Sequence, residues 1–271
     1  FPATLATAAT FDPELAHTQG TALAREARAH GQHALLAPGV NVLRVPHCGR
    51  NFEYLSEDPV LASHHSRALV DGIQSEDVVA TVKHYVANNQ ETHRTEVSAE
   101  VDERTLREVY LPPFRAAVEA GVGSVMTAYN RVNGVYMSDH DRLVGDVLKD
   151  EWGFGGYVVS DWYGLATTAG AANAGLDVEM PGVASGPEDA EFEWPDGIPD
   201  GSHAGLFGDP LATAIDEGAV PESRLDDMVT RVLAQMGRIG LLDDTERDGE
   251  LDSQRHRDLA RRIATRGTVL L

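Results

Sequence analysis

The chain has 271 residues, 42% of them hydrophobic, enough for one large α/β barrel or two small domains, since single barrels run to about 250 residues. Twenty-two basic against 43 acidic residues leave a formal charge of −21, which argues against nucleic acid and anionic membranes as partners. Cys48 is the single cysteine, which rules out an intrachain disulfide and a zinc site built on cysteine pairs, and no run approaches the roughly 20 apolar residues of a membrane span.

Asp12-Pro13 reads as an N-cap with proline at the first helical position, opening an Ala-rich helix that Gly31 closes. A short apolar strand at 34–37 follows, then Pro38-Gly39 opens a long loop carrying Arg44, Arg50, Glu53 and Glu57. Helix 59 onward is capped by Asp58 or Ser56. The alternation continues with strand 78–83, a polar loop, helix 103–120, strand 124–127, helix 143–151, strand 157–160 and a short helix near Ala166. From 181 to 208 the chain turns to Gly, Pro, Asp and Glu and reads as a long surface loop. Helices return at 211–217, 222–240 and 254–265, and 267–271 reads as a strand just starting.

Repeated strand–helix units imply a parallel sheet covered by helices, either a TIM-type (β/α)8-like barrel, irregular or incomplete, or an open doubly wound sheet. No Gly-rich phosphate fingerprint follows the first strand, which weakens the open-sheet alternative. Arg50, Lys83-His84, Tyr129 and Asp161 fall at or past the C-terminal ends of successive strands, the rim where barrel enzymes assemble their sites. Residues 1–250 are expected to form the barrel domain; 251–271 are expected to be a linker helix and the start of a following α/β domain.

Asp161 ends the apolar strand in Val158-Val159-Ser160-Asp161-Trp162. A carboxylate fixed on a strand tip beside an indole suits sugar chemistry, with the indole face offered to a pyranose ring; it equally suits an N-cap for the next helix. Lys83-His84 and the arginines Arg50 and Arg94 suit hydroxyl binding and would lower the pKa of a nearby carboxylate, or they are solvated and structural. His17, His30, His33, His47, His64 and His65 show no metal-ligand spacing, so no metal and no cofactor is expected. Lys83 and Lys149 are the only lysines, a bias that fits both high-salt adaptation and a GC-rich genome. Export and compartment stay open, because the sequence begins without methionine.

Taken together, Gly49-Arg50-Asn51-Phe52-Glu53-Tyr54, Ser56-Glu57-Asp58-Pro59, Lys83-His84-Tyr85, Val125-Met126-Thr127-Ala128-Tyr129-Asn130 and Ser160-Asp161-Trp162 resemble, in order and spacing, the barrel-domain signature of glycoside hydrolase family 3. The resemblance runs from Phe1-Pro2-Ala3-Thr4 through Gly175-Leu176-Asp177 to Val269-Leu270-Leu271. It implies a retaining β-glycosidase of the β-glucosidase type, acting on a β-glucoside or oligosaccharide, with Asp161 as nucleophile. It implies further that Arg50, Lys83, His84 and Arg94 hold sugar hydroxyls, that Tyr129 lies near the nucleophile, and that Met126 and Trp162 form apolar walls. β-Xylosidase or another β-glycosidase activity of the family, and a non-catalytic sugar-binding remnant, are the alternatives.

Retaining chemistry needs a second carboxylic acid about 5 to 5.5 Å from the first. In the β-glucosidase-like branch the resemblance places it on the following α/β domain, a partner this sequence does not contain. The branch that uses a His/Asp pair after a Pro-Gly-His-Gly pattern is rejected, because the loop here reads Val86-Ala87-Asn88-Asn89-Gln90-Glu91-Thr92-His93-Arg94. Glu91, Glu96 and Glu179 are the in-chain candidates for the acid, none of them favoured, Glu179 reading as structural. The resemblance also implies an Asp-Gly-Pro segment at the front of the barrel, expected to lie before Phe1, so the chain alone is expected to have little glycosidase activity.

Overall fold

The computed structural model describes residues 1–182, 205–243 and 248–270. Most of the 181–208 loop expected from the sequence lies outside them. Four parallel strands form the main sheet: β1 (Ala34–Leu35), β2 (Val79–Tyr85), β4 (Ser124–Thr127) and β7 (Tyr157–Val159), neighbours in that order. A single parallel bridge from Val159 to Val178 marks a fifth position. The strands therefore advance in chain order without the reversal that defines a doubly wound sheet. This is the barrel type of winding, and among the described residues the sheet does not close.

Helices bridge each step of the sheet. α2 (Pro13–Ala29) precedes β1, and Asp12 caps it by accepting from the Leu15 N–H at 3.1 Å. α3 (Pro59–Gln74) joins β1 to β2, capped by Asp58, while Ser56 caps the turn before it by accepting from the Asp58 N–H. α2 packs on α3, and α3 on α5 (Pro112–Glu119). The first of these contacts is close enough to require glycine. A Cβ at Gly72 would lie 2.2 Å from the His17 carbonyl oxygen, and one at Gly20 would lie 2.7 Å from that of Leu69. Gly72→Ala should thus cost about 1–3 kcal/mol in spite of alanine's better helix propensity, because the obstacle is backbone. A thermal melt unchanged or raised would contradict this.

Several elements differ from the sequence expectation for local reasons. Helix 103–120 is broken into α4 (Glu103–Thr105), a wide π-type turn Leu106–Tyr110 and α5, because Pro112 and Pro113 have no N–H to continue the ladder. The helix expected near Ala166 is α6 (Thr168–Ala174), ending at Gly175 with φ 111°. The helix expected from 143 begins earlier, as the π-type Asp141–Glu151, with His140 Nδ1 accepting from the Leu143 N–H. The first strand, expected over 34–37, is regular only at Ala34 and Leu35, and Leu36 and Ala37 lead on into the loop.

Two elements were not expected. α1 (Thr4–Ala8) has no side-chain cap to announce it. A small second sheet pairs β3 (Ser98–Ala99) with β5 (Arg131–Val132) and β5 with β6 (Val135–Tyr136). Its hairpin turns at Asn133-Gly134, both at positive φ, the residue pair such a two-residue turn favours.

Behind the sheet, α8 (Glu222–Arg238) is tied down by buried charge. Asp177, whose side chain is fully buried, accepts from Lys149 Nζ at 2.8 Å, from the Val158 N–H at 2.7 Å and from Arg224. Arg231 donates to the carbonyls of Phe154 and Gly156. α7 (Asp209–Asp216) packs beside α6. α9 (Gln254–Gly267) lies on α1 and α2, sharing an apolar cluster of Leu15, Ala22, Leu259 and Ile263. Residues 268–270 form no strand. No helix among the described residues is long and apolar enough to cross a membrane.

Candidate active site

The loop after β1 folds back along β2. The Val40 N–H donates to the Lys83 carbonyl at 2.8 Å, and the Lys83 N–H donates to that of Pro38 at 3.0 Å. Asn41, 2% exposed, then grips the His84 main chain from both sides: its Oδ1 accepts from the His84 N–H and its Nδ2 donates to the His84 carbonyl, each at 2.8 Å. The pairing of β2 with β4 shifts register between Val82 and Tyr85, so Lys83 and His84 leave the regular ladder at the strand's C-terminal end. Arg50 opens the 3-10 turn Asn51–Glu53, which sets Arg50 and Glu53 side by side.

These elements bring most of the expected residues together. Arg50 Nε and Nη2 donate to the two Glu53 oxygens at 2.8 and 3.0 Å, and Lys83 Nζ lies 2.8 Å from Glu53 Oε1. Arg50 Nη2 is 3.0 Å from His84 Nε2. Arg94 donates to Glu91 at 2.9 Å and stacks over the Tyr129 ring, 4.6 Å from its centre. The Tyr129 hydroxyl donates to the Trp162 carbonyl at 2.8 Å. Lys83 is not the solvated lysine of the alternative reading; its side chain is 16% exposed. Arg44 and Glu57, from the same loop, take no part in the cluster.

Asp161 stands at the end of β7 with its side chain 13% exposed. The Trp162 N–H donates to Oδ1 at 2.8 Å, and Oδ2 lies 3.5 Å from His84 Nε2. It caps no helix, since α6 begins only at Thr168. The expectation that basic neighbours hold this carboxylate low is corrected: burial pushes its pKa up, and the Trp162 N–H, Arg50, Tyr129 and Arg94 offset only part of that.

His84 is neutral. A guanidinium can only donate, so Arg50 Nη2 makes Nε2 the acceptor and leaves the proton on Nδ1, 3.4 Å from the Tyr54 hydroxyl. Burial, then Arg50, Lys83 and Arg94, hold its pKa well below the ordinary value. The 3.5 Å approach to Asp161 is accordingly no ion pair. A histidine whose folded pKa is depressed resists protonation, so this group withdraws stability as pH falls through about 6.5, its unfolded value. We expect the His84 ring to titrate by NMR below the ordinary value of about 6.5; a midpoint at or above that value would contradict the depressed pKa.

Met126 is buried in β4, 1% exposed, paired with Val159. Trp162 is half-buried beside Asp161. A cavity of about 110 Å³ lined by Thr95, Tyr129, Tyr136, Tyr163, Gly164, Leu165 and Ala166 adjoins the cluster through Tyr129. A roomier one of about 480 Å³ lies between α2 and α9 and shares no lining residue with the cluster. Among the described residues no group of three or more His, Cys, Asp or Glu is placed to hold a metal. Glu179 accepts from the Leu206 and Phe207 N–H groups, a structural use, and Glu96 lies beside the exposed His93. Sequence reasoning missed Asn41, Tyr54 and the part played by Glu53 and Glu91. Only the three-residue spacing of Arg50 and Glu53, and of Glu91 and Arg94, hinted at the last two.

The description "Glycosyl hydrolase family 3 N terminal domain" matches residues 1–235. The chain belongs to glycosyl hydrolase family 3. It is 43% identical over 274 residues to a beta-glucosidase of Rhizobium radiobacter, covering all of this chain and 31% of that protein. It is 40% identical over 283 residues to probable beta-glucosidase L of Emericella nidulans, covering all of this chain and 37% of that protein. Among solved structures, beta-glucosidase 3B from Thermotoga neapolitana in complex with alpha-D-glucose superposes with TM-score 0.89 at 38% identity, over the whole chain and 36% of that structure. DesR, a beta-glucosidase from Streptomyces venezuelae in complex with D-glucose, gives 0.88 at 38% identity, over the whole chain and 34% of that structure. The chain thus spans about a third of the length of these family members.

Proposed function

We propose that this chain is the part of a retaining β-glucosidase that supplies the nucleophile and the subsite for the non-reducing-end glucosyl unit. The observation that carries the reading is Asp161, a buried carboxylate on a strand tip that meets His84, Arg50 and Tyr129 from three other segments. Relatives named beta-glucosidases, two of them solved with glucose, support the sugar class.

In this reading Arg50, Lys83 and Arg94 hold hydroxyls, His84, whose two ring nitrogens face Arg50 and Tyr54, orients Arg50 beside Asp161, and Met126 and Trp162 bound the sugar on its apolar sides. Asp161 attacks the anomeric carbon as the bond to the leaving oxygen breaks, giving a glycosyl ester. A carboxylic acid must protonate that oxygen and later activate water, at about 5 to 5.5 Å from the nucleophile. The family resemblance assigns that acid to a segment outside this chain, and the engagement of Glu91 with Arg94 and of Glu179 with backbone amides agrees with this.

The test is the stereochemistry of an aryl β-glucoside hydrolysed by the complete protein, followed by proton NMR. β-Glucose should appear first and mutarotate afterwards. α-Glucose appearing first, or no hydrolysis at all, would contradict the reading; a faster reaction with the β-xyloside would move the substrate to that sugar.

A further inference from the structure

Both oxygens of Glu53 are engaged by cations of the cluster. Oε2 accepts from Arg50 Nε, and Oε1 accepts from both Arg50 Nη2 and Lys83 Nζ. Its side chain is 21% exposed and those of its partners 20% and 16%, so the three charges meet largely out of water. Arg50 comes from the loop after β1 and Lys83 from β2. Without a carboxylate between them, two long, flexible cations would repel each other in a medium that screens poorly. The two cations in turn keep Glu53 ionised, its pKa held low against the cost of burial.

We propose that Glu53 is a positioning residue of the sugar site, holding Arg50 and Lys83 as a fixed pair of donors for adjacent hydroxyls and fixing the tautomer of His84. This rests on the reading of the site as a pyranose subsite. The bidentate grip on the Nε–Nη2 edge sets the plane of the guanidinium, and that plane brings Nη2 to the lone pair of His84 Nε2. The hydrogens on Arg50 Nη1 are taken by neither Glu53 nor His84, and Lys83 gives Glu53 only part of its donor capacity. The edge that would clamp a ligand carboxylate or phosphate is already used, and the carboxylate cancels one of the two positive charges. Such a pair of donors suits a neutral vicinal diol rather than an anionic sugar.

The experiment compares Glu53→Gln and Glu53→Asp with the parent in the complete protein, measuring glucose affinity, kcat and KM for an aryl β-glucoside, and the nitrogen shifts of the His84 ring. Glutamine keeps the shape and loses the charge; aspartate keeps the charge and loses the reach to both cations. Glu53→Gln should weaken glucose and lower kcat/KM by about 10²-fold, the scale of a displaced binding group, and should alter the His84 ring pattern. Glucose affinity within about twofold of the parent, with that pattern unchanged, would overturn the proposal. Should the glutamine variant fail to fold, Glu53→Asp decides: glucose bound at least about tenfold more weakly supports the role, and binding within about twofold refutes it. A parent that binds glucose without Asp161 acting as nucleophile sinks the proposed chemistry and leaves this comparison decisive. A parent that binds no glucose sinks both.

Discussion

Asp161→Asn in the complete protein should lower kcat by at least about 10³-fold while leaving the fold intact or slightly more stable. The two halves have one cause. Burial raises the pKa of Asp161, so above that folded value the ionised carboxylate costs stability that a neutral amide does not. In the window between the ordinary aspartate value and the raised one, the folded protein binds more protons than the unfolded chain, and stability falls as pH rises. Melts of parent and variant should therefore differ most at neutral pH and converge in acid. The same shift sets the acid limb of kcat/KM, because a nucleophile must be ionised: that limb should lie above the ordinary aspartate value of 3.8. Near-parental turnover by the variant would remove Asp161 from the chemistry, and a large fall in its melting temperature would mean the carboxylate is structural.

The second large effect is on stability alone. Asp177→Ala should cost about 3–5 kcal/mol, because it leaves the buried Lys149 with only Asp227 at 3.8 Å and the Val158 N–H without its acceptor, although Arg224 keeps Asp227 and two carbonyls. Burial already lowers the pKa of Lys149 to about 8, and Asp177 is the foremost influence opposing that shift. Since Val158 lies in β7, the strand that carries Asp161, activity per folded molecule should fall as well. Denaturant unfolding followed by far-UV circular dichroism checks the first part. A change below about 1 kcal/mol would mean that water or a neighbouring group replaces the lost partner.

What the sequence shows and what it hides divide along physical lines. Apolar runs such as Val78-Val79-Ala80 and Val158-Val159 announce buried parallel strands, and a polar residue ending each run announces the rim, because both depend on neighbours along the chain. Asp12-Pro13 and Asp58-Pro59 start their helices as the local rules require. The breaks at Pro112-Pro113 and at Asn133-Gly134 are present in the residues as well; there the periodicity of 103–120 and the brevity of β5 and β6 outweigh the turn chemistry. Asn41 on the His84 backbone and Glu53 between Arg50 and Lys83 are not legible in the sequence. Both arrangements exist only once the loop after β1 has folded across β2. The direction of the Asp161 shift is hidden for the same reason: charges can be counted in a sequence, but burial cannot.

The proposed chemistry stands or falls on a covalent bond between the Asp161 carboxylate and the sugar. The complete protein can be incubated with a 2-deoxy-2-fluoro-β-glucoside bearing a good leaving group, then digested, and the labelled peptide sequenced by mass spectrometry. One fluoroglucosyl group per chain is expected, attached at Asp161 and absent from the Asp161→Asn variant. A label on another carboxylate, or inactivation that persists in that variant, would contradict the assignment.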